Sequence, residues 1–495
     1  MSSRIIPFPA ELRPRLPTII GNVDYLTLRQ RLEQIESLLH DSGLERQFVE
    51  QALHDWRQRS RRTPSAQEQQ KFQRRCRRAL RCTLLRTLLQ EDYRGFSCQL
   101  AGNPLYQWFC LIDAIDQIRV PSKSELQRFA HWLPAGQMRD LLNGLLRRAL
   151  DQPRKLRLRE PLDLEAYFLD TTALKANIHF PTDWVLLRDG VRTLMKATTL
   201  IRNQGLKGRM QPPQEFLRQI NRLSMEMTHQ RRTADCRRGR KRVLRQMKKL
   251  VKVVRAHARR RRQLLEAHWQ QTEWTRPQTE QILRRLDNVL ELLPRAQQQA
   301  HERIIGGRSV ENREKILSLY EPDVHVIVRG KAGAEVEFGN TVLLGENRQG
   351  LIVDFAVYQQ QAPADAHLLV ESLERVQAGL DHTVGGVAAD RGFASAINHQ
   401  GLAAAGIFNG ICPRQPQQLK ELMKEQQFVN LQRRRSQTEA RIGILKNGFF
   451  GRPMRAKGFA HRELAVAWGV LTHNLWMLAR LRKTKKKPQP LLQAA

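Results

Sequence analysis

The sequence has few cysteines, and they are not arranged as metal ligands. None of the six forms a Cys-x-x-Cys pair or shows the ligand spacing of a zinc site, so a structural zinc ion is not predicted. We therefore expect free thiols in a reducing cytoplasm. No internal repeat with a period of about 20 to 50 residues is evident, which argues against a solenoid architecture.

Long apolar runs are also missing. The longest largely apolar segment, residues 464–479, has 16 residues, fewer than the roughly 20 that a membrane-spanning helix needs. Because Thr472, His473 and Asn474 interrupt this segment, we interpret it as a buried core helix. The first 16 residues mix Arg, Glu and Pro without an apolar h-region, so no secretory signal is expected.

Acidic residues are in the minority. The chain has 84 Lys and Arg against 48 Asp and Glu, which gives a formal charge of +36 on 495 residues. Such an excess attracts a polyanion through counterion release, and the affinity should fall steeply with salt. Since no membrane segment is predicted, nucleic acid is the expected partner. The length allows two to four domains, and 41% hydrophobic residues are enough for sizeable cores.

Helical periodicity dominates residues 24–151. Leu28 and Leu32 begin an apolar stripe at helical spacing, and Ser124 with Gln127 matches the pattern of a capping box. We expect several short helices before the first strand.

A dense group of arginines lies within this helical region. Its members are Arg74, Arg75, Arg77, Arg78 and Arg81. Taken alone, such a run is typical of a solvated helix face, although apolar residues are interleaved with it. The alternative is a surface that contacts phosphates.

A second basic segment, residues 231–262, contains 16 Lys or Arg and one acidic residue. Leu244, Val251 and Val254 keep an apolar stripe within it, so we predict an amphipathic helix rather than a disordered tail. Thr275 and Gln278 match a further capping box, whose helix we expect to end at Pro294, and the whole segment is interpreted as inserted helices.

Strand patterns return after the basic segment. They are predicted at 324–328, 336–344, 350–358 and 406–412, with helical composition at 364–380.

Three carboxylates stand out against these elements. Asp170 and Asp390 follow the short apolar runs 166–169 and 387–389, while Glu439 lies in a segment of helical composition. Carboxylates at two adjacent strand ends and on a packed helix can converge on a pair of Mg²⁺ ions, the centre used for phosphoryl transfer on nucleic acids. Taken singly, each aspartate is more typical of a turn or a helix cap.

The residues around the carboxylates resemble those of bacterial insertion-sequence transposases of the DDE type. The spacing Arg435-x3-Glu439-x6-Lys446 resembles the signature that closes their catalytic domain. Residues 390–393, Asp-Arg-Gly-Phe, resemble their second block, and residues 170–172, Asp-Thr-Thr, resemble their first.

The resemblance extends on both sides of the first aspartate. Residues 177–183 continue the first block, and residues 106–110 and 120–126 are similar to the helical N-terminal domain of these transposases. Two features depart from the family pattern: Gln432 stands where the signature has a tyrosine, and a long basic segment separates the two aspartates. Because glutamine cannot stack on a base, a hairpin intermediate stabilised by residue 432 is not expected.

The resemblance implies an α+β multidomain protein with a helical N-terminal domain and a ribonuclease-H-like mixed α/β catalytic domain split by a basic helical insertion. The expected divisions are 1–155 for the N-terminal DNA-binding domain, 156–200 and 311–482 for the two parts of the catalytic domain, 201–310 for the insertion and 483–495 for a disordered basic tail.

It also implies a function. The protein is expected to bind the ends of an insertion sequence, cleave their 3′ ends and join them to target double-stranded DNA, as a homodimer or larger assembly in the bacterial cytoplasm, associated with the nucleoid. Asp170, Asp390 and Glu439 are the implied ligands of two Mg²⁺, for which Mn²⁺ is an expected substitute. Lys446 and Arg435 are expected to neutralise phosphate near the cleaved bond.

The remaining candidates are DNA contacts. They are Arg74, Arg75, Arg77, Arg78, Arg81, Arg259, Arg260, Arg261, Arg262 and Arg391. His179 is interpreted as structural, because Mg²⁺ sites prefer oxygen. Two alternatives stay open: a catalytically inactive regulator derived from a transposase, and a nuclease that cuts without joining.

Overall fold

The computed structural model describes residues 13–60, 63–113, 117–230, 236–331 and 334–483. Helices predominate in these residues and accompany one mixed β-sheet, which is the predicted α+β class. The expected disordered tail lies, from residue 484 onward, outside the described residues, as does the start of the basic segment at 231–235.

The N-terminal region is helical, as predicted. Its helices are α1 (Val23–Asp41), α2 (Leu44–Arg59), α3 (Ala66–Leu89), α4 (Tyr93–Gly102), α5 (Pro104–Phe109), α6 (Lys123–Ala130) and α7 (Ala135–Asp151). The cap of α6 differs from the prediction. Ser122, not Ser124, accepts a hydrogen bond from the Glu125 backbone, and the Glu125 carboxylate accepts one from Ser122 N. The backbone is still extended at Ser122, so Ser124 already belongs to the first turn.

The sheet contains β1 (Tyr167–Lys175), β2 (His325–Lys331), β3 (Ala334–Asn347), β4 (Ile352–Val357), β5 (Gly386–Ala388) and β6 (Phe408–Asn409). Its order is β2-β3-β1-β5-β6, and β4 also pairs with β3. The pairings of β3 with β1, β2 and β4 are antiparallel, whereas β1 with β5 and β5 with β6 are parallel.

Asp170 was expected at a strand end, and this was wrong. It lies inside β1, opposite Leu344 of β3, because antiparallel pairing with β3 continues as far as Lys175. The β-branched Thr171 and Thr172 favour that continuation. Asp390, in contrast, follows the end of β5, as predicted.

Between β1 and β2 lies a set of long helices with its own apolar core. They are α8 (Asp183–Asn203), α9 (Pro213–Gln230), α10 (Cys236–His268) and α11 (Arg276–Ala300). The predicted stripe of α10 is buried at Leu244, Val251 and Val254, and α10 packs against α8, α9 and α11. The amphipathic-helix prediction is therefore confirmed for the described part of the basic segment.

Helix α11 starts as predicted but ends later. Thr275 and Gln278 form the capping box, yet Pro294 lies inside the helix, which continues to Ala300. A proline inside a helix removes one backbone hydrogen bond. Here Leu293 and Ala296 on either side of it are fully buried, and this packing outweighs the loss.

The C-terminal part completes both the sheet and the N-terminal helices. Its helices are α12 (Leu369–Leu380), α13 (Ala396–Ala404), α14 (Pro416–Leu422), α15 (Gln426–Leu445) and α16 (Phe459–Leu481). Residues 464–479 form the predicted buried helix within α16, which packs against α1, α3, α7 and β4. The N-terminal helices and the sheet therefore share one apolar core. In the described ranges, no helix combines the length and apolarity needed to cross a membrane.

Candidate active site

The parallel pairing of β1 with β5 brings the two predicted aspartates together. Phe168 is paired with Ala388, and Asp170 and Asp390 each lie two residues further along. Both aspartates line a cavity of about 440 Å³. The Asp390 side chain is held at the end of its strand by a 2.8 Å hydrogen bond from Gly392 N.

A third aspartate lines the same cavity and was not identified from the sequence. Asp365 accepts a 3.0 Å hydrogen bond from Thr171 Oγ1. A Cβ atom added to Gly392 would lie 2.9 Å from Asp390 Oδ1 and 3.0 Å from Asp365 Oδ2, so these two carboxylates approach one another. Asp365 precedes α12, and nothing in the sequence distinguishes it from an ordinary residue at the start of a helix.

The cluster changes the acidity of Asp170. Burial, with repulsion from Asp390, raises its pKa to about 6. A hydrogen bond from Thr171 N and the charge of Arg435 act in the opposite direction, whereas Asp365 adds to the repulsion. Carboxylates that repel each other in this way favour a cation between them.

Helix α15 contributes Glu439 and Arg435 to the cavity. Glu439 is exposed and Arg435 half-buried. Arg435 Nε donates to Gln432 Oε1 at 2.9 Å. Gln432 Nε2 in turn donates to the carbonyls of Gly410 at 2.6 Å and Ala389 at 3.3 Å. Gln432 therefore joins α15 to the backbone beside Asp390.

A buried glutamate fixes the other side of α15. Glu346 of β3 is 1% exposed and accepts hydrogen bonds from Arg434 at 3.0 Å, Thr438 at 2.8 Å and Arg441 at 3.3 Å. The Arg434 guanidinium also lies 4.8 Å from the ring centre of Phe168, two residues before Asp170. Glu346 thus sets the rotation of the helix that presents Glu439.

Lys446 reaches the site from the end of α15. Its Nζ lies 3.2 Å from Thr172 Oγ1, to which it donates, and Thr172 lines the cavity. Arg391 is exposed next to Asp390. His179 is exposed and lines a different cavity with Phe180.

The candidate DNA contacts in α3 fall into two groups. Arg77 and Arg81 are buried and form ion pairs with Glu45 at 3.0 and 2.7 Å. Their assignment to DNA is therefore wrong, because these guanidinium groups face the core. The other three, Arg74, Arg75 and Arg78, line a cavity of their own.

The candidates of α10 divide in the same way. Arg259 and Arg260 are exposed. Arg261 is 4% exposed, and Arg262 donates to Asp287 at 2.7 Å and pairs with Glu266. The last two are therefore structural residues of α10.

The donor set is of the type that Mg²⁺ selects. Within the part of the chain that the structure describes, no three His, Cys, Asp or Glu side chains are grouped closely enough to hold a metal ion by themselves. Mg²⁺, however, usually keeps several waters and takes only one or two protein carboxylates plus substrate phosphate. Asp170 and Asp390, which repel each other across the cavity, fit such an ion.

One comparison with known proteins covers part of this site. Residues 331–475 match the family model described as the transposase DDE domain. No match was found among curated proteins or among solved structures. The matched region contains Asp390, Arg435, Glu439 and Lys446. Residues 331–475 therefore resemble a transposase DDE domain, which relates this part of the chain to the DDE transposases.

Proposed function

We propose that this protein is a DNA transposase that binds the ends of its element, cleaves their 3′ ends and joins them to target DNA in a Mg²⁺-dependent reaction. The observation that carries the proposal is that Asp170, Asp390 and Glu439, which are far apart in the sequence, line one cavity. Most of that cavity is built by the segment that matches the transposase DDE domain.

Asp170 and Asp390 would hold Mg²⁺, with Glu439 lining the same cavity, and Mn²⁺ has the oxygen preference needed to replace it. When bound, the metal would activate the attacking hydroxyl and stabilise the leaving oxygen. Arg435 is oriented by Gln432 and places a positive charge beside the carboxylates, where it binds the phosphate to be cleaved. Lys446, held at Thr172, adds a second charge. Fixed cations of this kind stabilise developing phosphate charge without reorganisation.

The sheet supports a ribonuclease-H-like catalytic domain. Antiparallel β4, β3 and β1 are followed by β5 and β6, which add to β1 in parallel. Helices α8 to α11 enter between β1 and β2 and have a separate apolar core. We therefore take the basic helical insertion that splits the catalytic domain to begin with α8 at residue 183, instead of the expected 201, and to extend to residue 310.

The insertion supplies a surface for the DNA backbone. Its longest helix, α10, has a buried stripe on one side and exposed cations on the other. The exposed cations include Arg237, Arg238, Arg245, Lys249, Lys252, Arg259 and Arg260. Since packing against α8, α9 and α11 holds this face outward, it binds phosphates without reading sequence.

The test is an Asp390→Asn variant with a duplex that carries the DNA bordering the gene. Mg²⁺-dependent cleavage should fall by about three orders of magnitude or more, the scale of losing a catalytic group, while DNA affinity is nearly unchanged. Glu421→Gln is the matched control, because Glu421 is exposed on α14 and pairs only with exposed Lys424 among the described ion pairs. Cleavage that survives in Asp390→Asn would place the active site elsewhere. Full binding by a wild-type protein that never cleaves would favour a regulator.

A further inference from the structure

A second cavity lies between α3 and α6, in the N-terminal region. It measures about 480 Å³, and we call it the α3–α6 cleft. Its lining consists of Lys71, Arg74, Arg75, Arg78, Arg119, Val120, Pro121, Glu125 and Phe129. Among these described residues, five are cations and one is acidic.

The cations of α3 share one face of the helix. Lys71, Arg74, Arg75 and Arg78 are spaced at i, i+3, i+4 and i+7, which brings their side chains into one row. Arg119 is part of the lining and belongs to the segment before α6. Positive side chains thus converge from two elements instead of spreading over a flat helix surface.

Several of these side chains are held in place by the protein. Arg78 donates to the Leu111 carbonyl at 2.9 Å and to Asp113 at 3.2 Å. The Arg75 guanidinium lies 5.4 Å from the ring centre of Trp132, a cation–π geometry. Guanidinium groups that are already ordered lose less entropy when they bind a ligand.

The carboxylate in the cleft has another role. Glu125 accepts hydrogen bonds from Ser122 N and Ser122 Oγ, at 3.1 and 3.2 Å, as part of the α6 capping box. A hydrogen bond from the Ser122 backbone holds the pKa of Glu125 below its ordinary value, and the charges of Arg75 and Arg119 contribute to this. Glu125 is the one acidic residue of the described lining and Asp113 pairs with Arg78, so cations outnumber these two carboxylates at the cleft.

We propose that the α3–α6 cleft binds phosphate groups of the DNA backbone and is the principal docking point of the N-terminal region on DNA. This inference rests on the proposed function and adds to it Lys71 and Arg119, together with a defined site. Arginines in a concave site form paired, charge-assisted hydrogen bonds to phosphate oxygens. A cleft of this volume is within the range of ligand sites and takes a phosphodiester with its flanking sugars.

The experiment compares two full-length triple variants. In the cleft variant, Lys71→Gln, Arg75→Gln and Arg119→Gln remove three exposed cations of the lining. In the control variant, Arg94→Gln, Lys123→Gln and Arg128→Gln remove three exposed cations of α4 and α6 that lie outside the lining. The probe is a fluorescent duplex of random sequence, measured by anisotropy over a range of salt concentrations.

The cleft variant should lose about tenfold or more in affinity at physiological salt, and the slope of log K against log salt should fall by about one to three, since each phosphate contact contributes about 0.9. The control should change much less. Equal losses in the two variants, or none in either, would overturn the proposal. If the cleft variant unfolds at lower temperature, Arg119→Glu alone replaces it, because Arg119 is exposed and outside any helix.

Two further measurements separate the possible outcomes. Inorganic phosphate is titrated against both proteins, and tight phosphate binding that the cleft variant loses, with DNA affinity intact, would show a small-anion site instead of a DNA site. Cleavage is measured at saturating DNA, where the control variant should match the wild type. The DNA-binding measurements therefore test the cleft proposal, whereas the Asp390→Asn cleavage assay tests the proposed function.

Discussion

The candidate active-site cavity and the α3–α6 cleft are built alike but lined by opposite charges. Each has a wall formed by a helix that a buried glutamate holds through two arginines of that helix. Glu346 holds α15 through Arg434 and Arg441. Glu45 holds α3 through Arg77 and Arg81, which keep the pKa of Glu45 below its ordinary value although burial raises it.

The difference lies in the face that each anchored helix presents. The candidate active-site cavity is lined by four carboxylates and the cation Arg435, whereas the cleft is lined by five cations and Glu125, counting only residues that the structure describes. On the proposed function, DNA phosphates would be attracted to the cleft directly. They would enter the acidic cavity favourably only together with a cation, in agreement with the metal proposed for that cavity. The whole chain has a net charge of +36, so the negative charge of this cavity comes from a local cluster of carboxylates.

The largest expected effects come from removing the two buried glutamates, Glu346 and Glu45, which we call the anchors of α15 and α3. Glu346→Ala and Glu45→Ala should each lower the free energy of unfolding by about 3 to 5 kcal/mol, because each leaves two buried or half-buried arginines without their carboxylate. The functional losses should differ. Glu346→Ala should reduce cleavage at saturating DNA with little change in affinity, and Glu45→Ala should weaken DNA binding with little change in cleavage at saturation.

Urea unfolding and the two DNA assays check this pair of predictions. Glu335→Gln, an exposed change on the same strand as Glu346, should be silent in all three. Should either alanine variant fail to fold, the glutamine variants keep a hydrogen-bond acceptor at each position and test the same division. Equal effects of the two alanine variants on binding and cleavage would contradict this division of roles.

A smaller effect is expected from Mg²⁺ alone. An ion that binds only the folded protein stabilises it by about 1.4 kcal/mol at ten times its dissociation constant. Mg²⁺ without DNA should therefore raise the unfolding temperature of the wild type, and Asp170→Asn should remove most of that rise. The cleft triple variant should keep it, since its cations do not line the acidic cavity. An equal rise in Asp170→Asn would mean that the ion binds somewhere else.

The sequence predicts the elements of both regions better than it predicts their anchors. The strand patterns at 336–344 and 350–358 and the apolar stripe of α10 are local, and the structure contains them. Glu346 and Arg434 are 88 positions apart, and no local pattern connects them. The same holds for Asp365, which meets Thr171 across 194 positions.

The burial of Arg77 and Arg81 could have been predicted from the sequence. Arg77 precedes Leu80 by three positions and Leu84 by seven, which places it on the apolar side of α3, and Arg81 follows Arg77 by one helical turn. Their charge suggested a solvent-facing surface, but buried arginines are retained when a carboxylate pairs with them. At these two positions, the position around the helix axis therefore predicts burial better than the residue type does.

The smallest expected effect concerns the exposed end of α10. Arg259→Gln with Arg260→Gln should weaken binding to a random duplex a few-fold and lower the salt slope by about one to two, without changing stability, because both side chains are exposed. Arg262→Gln should instead cost about 1 kcal/mol of stability, since it removes the partner of Asp287 and Glu266 at the surface. Anisotropy titrations and thermal unfolding separate the two effects.

Arg218→Gln with Arg222→Gln, exposed on neighbouring α9, controls for net charge. If that pair weakens binding as much, the position of the charge on α10 does not matter, and the extended phosphate-binding face is not a distinct surface.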